Sequence, residues 1–315
     1  MGPEILEYRR ARYDVTNQVD TTDPVSVSFE VAKVYERLYR REFPSAALRV
    51  FADVGRMYRG EFPGYRACET GYHDLQHILE VTLAMARLMD GCAQSTSPLV
   101  MNERLFMIGA VSAIFHDIGY LRRVDDTEKS HGAEYTRTHV GRGARFISDY
   151  LPTIGLQNLV GPASRIVHFT GYEIPVSSIQ IEPRYRMIGN LLGSADILAQ
   201  MADRCYLEKC HDRLYPEFVL GGIARQVDEA GDEKVVFESA EDLIFKTPGF
   251  FQSASKRLEQ DLQGVHRLVG RHFKGENLYY SAARRNIDYA QSIADTRDIS
   301  LLRRSPPETD LASAA

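Results

Sequence analysis

The chain of 315 residues is 44% hydrophobic and 26% charged, with a formal net charge of −5. That balance provides no clustered basic surface for nucleic acid, and no apolar run approaches the ~20 residues that span a bilayer. Cys68, Cys92, Cys205 and Cys210 form no CxxC pair, which argues against a zinc knuckle or a disulfide framework and predicts free thiols in a reducing, cytoplasmic setting.

Residues 1–27 are polar, lack an apolar signal-peptide region and end in TTDPVS, which reads as a flexible arm closing on a helix-entry signal. SFEVAKVYERLYRREF then spaces Phe29, Val31, Val34, Leu38 and Phe43 along one helical face, and SAALRVFADVGRMYRG follows behind a serine cap. HDLQHILEVTLAMARLMDG sets Leu75, Ile78, Val81, Met85 and Leu88 on one stripe and closes on Gly91. NERLFMIGAVSAIFHDIGY is apolar nearly all round between Leu105 and Phe115, the pattern of a central buried helix. Further helices are predicted over 130–150, 156–169, 186–203, 204–219 and 250–272, and 172–184 reads as an irregular excursion. The best strand signal, in ARQVDEAGDEKVVFES, predicts a surface hairpin near 223–240 about an Ala-Gly-Asp turn. Arg122–Arg123 and Arg303–Arg304 read as solvated, and residues 303–315 as a disordered tail. With no internal repeat and no linker, the expectation is an all-α fold, a single helical domain over 28–302.

Nine histidines fall in unlike contexts. His116 and Asp117 directly follow an apolar run, so the carboxylate should be buried, where an unpaired charge is costly. A metal ion beside an imidazole resolves that cost; a helix-terminal His–Asp pair bonded to backbone does so equally well when the doublet is taken alone. Asp196, in RMIGNLLGSADILAQM, is a second acid inside an apolar helix. His73 and His77 share a helical face at four-residue spacing, and His139 and His168 occupy helices of their own. Inward polar groups from several helices are how bundle metal sites are built, and imidazoles with carboxylates suit transition ions better than calcium.

The ordered set His77, His116-Asp117 and Asp196 resembles the HD superfamily of metal-dependent phosphohydrolases, over roughly residues 65–215. The resemblance implies an HD-type helical bundle that hydrolyses a phosphoester, most of all a phosphodiester such as a cyclic nucleotide. It implies two divalent transition-metal ions (Mn, Fe, Zn, Co or Ni) bridged by Asp117 and a hydroxide. YHDLQHILEV is similar to the YHNxxHxxxV of class I cyclic-nucleotide phosphodiesterases, which implies that His73 is the general acid and His77 a ligand; Asp74 replaces the usual Asn. THVGRGARFISDYLP…IVHFTG resembles the HVxxG…H segment of HD proteins that hydrolyse cyclic dinucleotides. The implied ligands are then His77, His116, Asp117 and Asp196 for one ion, and Asp117, His139 and His168 for the other, with His131 competing for the place of His139. FKTPGFF resembles the purine-clamping junction of the class I enzymes, with Thr247 near its Gln position and Phe250 as an apolar wall; Arg123 or Lys129 would give electrophilic support. Two alternatives share the signature: a di-iron HD-type oxygenase, against which Tyr120 and Tyr172 stand where lysines are wanted, and a non-catalytic nucleotide-binding module. The expected partner is a small nucleotide or phosphoester, with neither nucleic acid nor membrane, and a homodimer is left open.

Overall fold

The computed structural model describes residues 9–96, 99–227 and 233–308. Helix α1 (Pro24–Tyr39) begins where the Asp23 carboxylate accepts from the N–H groups of Val25 and Ser26. Helix α2 (Ser45–Tyr58) follows, and α3 (Leu75–Ala93) opens at Asp74, whose side chain accepts from His77 N–H at 2.9 Å. Helix α4 (Glu103–Ile114) is capped by Asn102 and buried on every side from Leu105 to Ile114, as its all-round apolar pattern requires. Next come α5 (His139–Thr153), α6 (Val160–Ile166) and α7 (Pro183–Ala202). Helix α8 (Tyr206–Lys209) passes through a π-helical turn, Cys210–Leu214, into α9 (Tyr215–Leu220). A two-stranded antiparallel hairpin pairs β1 (Arg225–Val227) with β2 (Glu233–Val235), Gln226 opposite Lys234. The chain ends in α10 (Ala240–Lys256), α11 (Val269–His272) and α12 (Leu278–Thr296). The fold is therefore all-α with one small hairpin, whose Ala-Gly-Asp turn lies outside the described residues.

Two apolar cores organise these helices. The first gathers α1 to α7 around α3, with Met57, Ile78, Leu79, Phe106 and Ile188 buried in it. The second joins α8, α10 and α12 through Leu207, Ile244, Leu262 and Ile293. Helix α7 serves both, sending Leu191, Leu192 and Ala195 to the first and Ile197 and Met201 to the second. Asp196 sits between those two sets. At the far end of α3, a Cβ on Gly91 would stand 1.9 Å from the Leu268 carbonyl oxygen. That glycine does not close the helix, which runs on to Ala93; it admits the backbone that leads into α11.

Several expectations need correction. From Arg9 onward the supposed flexible arm is packed: Val15 and Val19 belong to the first core, and Arg9 donates to Ala202 O at 2.6 Å. Asp14 pairs with Arg87 at 2.5 Å, both side chains almost wholly enclosed. The polar composition of this segment reflects charges paired inward. Residues 303–308 are likewise held, since Arg304 donates to Asn286 Oδ1 at 2.8 Å and Arg213 to Pro307 O; residues 309–315 lie outside the described set. Arg122 is buried against Glu69, at 3.0 Å. The α1 stripe is rotated relative to the reading: Val27, Val31, Val34 and Tyr35 face inward while Phe29 is 62% exposed. Helix α12 stands where no helix was read, because between Tyr279 and Ile293 its inward face is made of Ala282, Ala283, Asn286 and Ala290 and gives a weak apolar signal. No helix among the described residues is long and apolar enough to cross a membrane.

Candidate metal centre

Asp74 fixes the first turn of α3 and so aims His77, buried, at the end of α4. There the helix has just ended, and the His116 Nδ1 donates to Ala113 O at 2.7 Å. This bond assigns the proton to Nδ1 and leaves the Nε2 lone pair facing inward, the usual preparation of a ligating imidazole. His116 Nε2 lies 3.3 Å from His77 Nε2 and 3.2 Å from Asp117 Oδ2. His77 Nε2 lies 3.4 Å from that same oxygen and 3.5 Å from Asp196 Oδ1, and His116 Nε2 stands 3.9 Å from Asp196 Oδ1. Gln200, one turn along α7, donates to Asp196 Oδ1 at 2.8 Å and holds it in place. Around an ion held at ~2.1 Å, neighbouring donors stand about 3.0–3.4 Å apart, so most of these spacings are those of one coordination shell. The buried His77, His116 and Asp117 could thus hold a metal ion.

The electrostatics agree. Burial lowers the basicity of His116, but the carboxylates of Asp117 and Asp196 outweigh it and carry its pKa up to about 9. Burial would raise the Asp117 carboxyl, yet His116, His139 and His77 hold it well below the ordinary carboxylate range. Acids and imidazoles placed this way favour positive charge at their centre.

Asp117 has a second face. Its Oδ1 lies 3.2 Å from His139 Nε2, and His139 Nδ1 donates to Thr136 O at 2.7 Å, so its lone pair also points at the carboxylate. Gly119 makes this approach feasible: a Cβ there would stand 1.9 Å from His139 O. Tyr120 lies between two imidazoles, its ring 4.4 Å from that of His73 and 4.4 Å from that of His139.

His73 is the other expected actor. Its Nδ1 meets Glu217 Oε2 at 2.5 Å, and Tyr72 N–H donates to Glu217 Oε1 at 2.6 Å. Burial lowers the basicity of His73, but the Glu217 carboxylate prevails and its pKa is raised. Glu217, on α9, was not read from the sequence; a separation of 144 positions from His73 left no signal to find.

Asp117 and Asp196 of the cluster line a cavity of about 710 Å³, as do His73, His139 and Phe250. His168 is not brought to the cluster: its Nδ1 is buried without a hydrogen-bond partner, Glu173 is its charged neighbour, and burial lowers its pKa. The sequence order of the motif suggested a ligand, and no contact between this ring and the cluster is found among the described residues. His131 caps the short turn Gly132–Tyr135, accepting from Ala133 N–H, whereas His139 Nε2 faces Asp117 Oδ1. Arg123 pairs with Asp125 at 3.1 Å and Lys129 with Glu134 at 3.9 Å, and neither lines the cavity. Comparison of the chain with protein-family models, with curated proteins and with solved structures returned no match, so the case for this site is its own geometry.

Proposed function

We propose that the protein is a metal-dependent phosphohydrolase acting on a phosphodiester. The observation that carries this reading is the convergence of His77, His116, Asp117 and Asp196 beside the His73–Glu217 pair, with Asp117, Asp196 and His73 lining one cavity. Those four residues would hold one divalent transition ion, and Asp117 Oδ1 with His139 would contribute to a second. Ions in such donor sets acidify water near neutrality and offset charge on phosphoryl oxygens. The chain supplies the remainder. Glu217 takes the Nδ1 proton of His73 in a hydrogen bond, so Nε2 is the nitrogen from which a proton is delivered to the departing oxygen. Tyr72 N–H fixes the Glu217 carboxylate, and the Tyr120 ring holds the plane of His73.

The test is hydrolysis of bis-p-nitrophenyl phosphate by protein supplied with Mn, Fe, Co, Ni or Zn, under air and under anaerobic conditions. The reading expects turnover in both atmospheres and its loss in Asp117→Asn. Turnover that requires oxygen would instead indicate the oxidative alternative, and cleavage of p-nitrophenyl phosphate alone would redirect the reading to a phosphomonoesterase.

A further inference from the structure

We infer that the site takes a phosphodiester whose body is an uncharged aromatic group, in preference to a nucleoside. This rests on the phosphodiesterase reading and specifies the substrate for that same site. At about 710 Å³ the cavity greatly exceeds a phosphoryl group, so most of it must receive the rest of the molecule. Beyond the cluster its wall is drawn from the second core: Tyr206, Cys210, Leu214, Leu243 and Phe250. The rings of Tyr206 and Phe250 lie within 24° of parallel, and those of Phe218 and Phe237, further along the wall, within 21°. Flat apolar faces of this kind complement an aryl ring.

Several polar side chains on the wall have spent protons on the protein. Thr247 donates to Leu243 O at 2.9 Å, Ser253 to Gly249 O at 3.1 Å, and Gln200 to Asp196. A base edge and ribose hydroxyls would enter such a wall with hydrogen-bonding groups left unpaired, and that counts against a nucleoside. Charge counts against a second phosphate. Lys246 is already paired with Asp242 at 2.7 Å, and Arg137, which donates to Gly222 O at 2.8 Å, shares the lining with the acid Glu173. Outside the cluster the cavity has no surplus of cations for a cyclic dinucleotide or a polyphosphate.

The experiment keeps the reaction constant and changes the body. The full chain, reconstituted with Mn, is given phenyl p-nitrophenyl phosphate and thymidine 5′-(p-nitrophenyl phosphate), which share a leaving group. The phenyl ester is expected to show a kcat/KM about 10-fold or more above that of the thymidyl ester, the scale set by apolar-pocket discrimination. Phe250→Ala and Phe237→Ala, both at half-buried positions, should shrink that ratio. Equal or better turnover of the thymidyl ester overturns the inference. If neither ester is cleaved, the hydrolase reading fails, and binding of the uncharged fluorophore N-phenyl-1-naphthylamine to metal-stripped protein decides the cavity question. Saturable binding that phenyl esters displace and Phe250→Ala weakens supports an aromatic occupant, and absence of binding overturns it.

Discussion

Replacing Gly119 by Ala tests how closely the candidate centre depends on backbone packing. The new Cβ would lie 1.9 Å from the His139 carbonyl oxygen and 2.9 Å from Gly143 N, both backbone atoms of α5. Non-bonded carbon and oxygen approach to about 3.3 Å, so the start of α5 must retreat by about 1.4 Å. That displacement opens the 3.2 Å contact between His139 Nε2 and Asp117 Oδ1. Overpacking of this kind costs about 1–3 kcal/mol, or roughly 1.5–5 °C in Tm for a chain of this size. A shift near 1 Å in catalytic geometry lowers turnover by about 100-fold. Gly141→Ala is the matched control: it lies on the same helix, its Cβ would meet nothing within 4 Å, and helix propensity favours it by about 1 kcal/mol. The assay pairs circular-dichroism melting with hydrolysis of bis-p-nitrophenyl phosphate. If Gly119→Ala and Gly141→Ala melt and turn over alike, the close approach of α5 does not position His139 and the reasoning fails.

Other expectations follow from single contacts. Glu217→Gln removes the charge that raises the pKa of His73, so the alkaline limb of the kcat/KM–pH profile should move to lower pH; an unmoved limb at unchanged metal content would contradict the role of the pair. His168→Ala should leave metal content unchanged by elemental analysis, because the ring does not meet the cluster, and loss of an ion would restore it as a ligand. The Asp14 carboxyl is held below its ordinary range: burial would raise it, but Arg87 and the Val19 N–H prevail. A depressed carboxylate contributes stability above its unfolded pKa of ~3.9 and loses it as the pH falls through the lower folded value. Denaturant unfolding should therefore weaken through that acid range in the native chain and less so in Asp14→Asn. At neutral pH Arg87→Met should cost about 3–5 kcal/mol, since it leaves a buried carboxylate unpaired.

Much of the centre was legible because its chemistry is unusual for its surroundings. Asp117 directly follows an apolar helix and Asp196 interrupts one, and a carboxylate there demands a partner. His77 and His116 could be read from their place at helix ends beside those acids. What escaped was set by distance and by packing. Glu217 meets His73 only because α9 returns to the start of α3, which no local pattern announces. His168 has the right residue type and order, yet its Nδ1 is buried without a hydrogen-bond partner. The arm at 9–23 looked loose because polar residues usually face water, whereas here Arg9 and Asp14 satisfy their charges inside. Helix α12 was hidden because the middle of its inward face is alanines and one asparagine, the latter donating to the carbonyls of Met201 and Asp203.

The central claim is that imidazoles and carboxylates from α3, the end of α4 and α7 assemble to bind a cation. Elemental analysis of the purified chain after exposure to manganese, iron and zinc addresses it most directly. The account predicts at least one tightly held transition ion per chain, lost in both His77→Ala and Asp117→Asn while the far-ultraviolet circular dichroism is kept. A folded chain that retains none of these metals, or variants that retain all that the native chain binds, would contradict it.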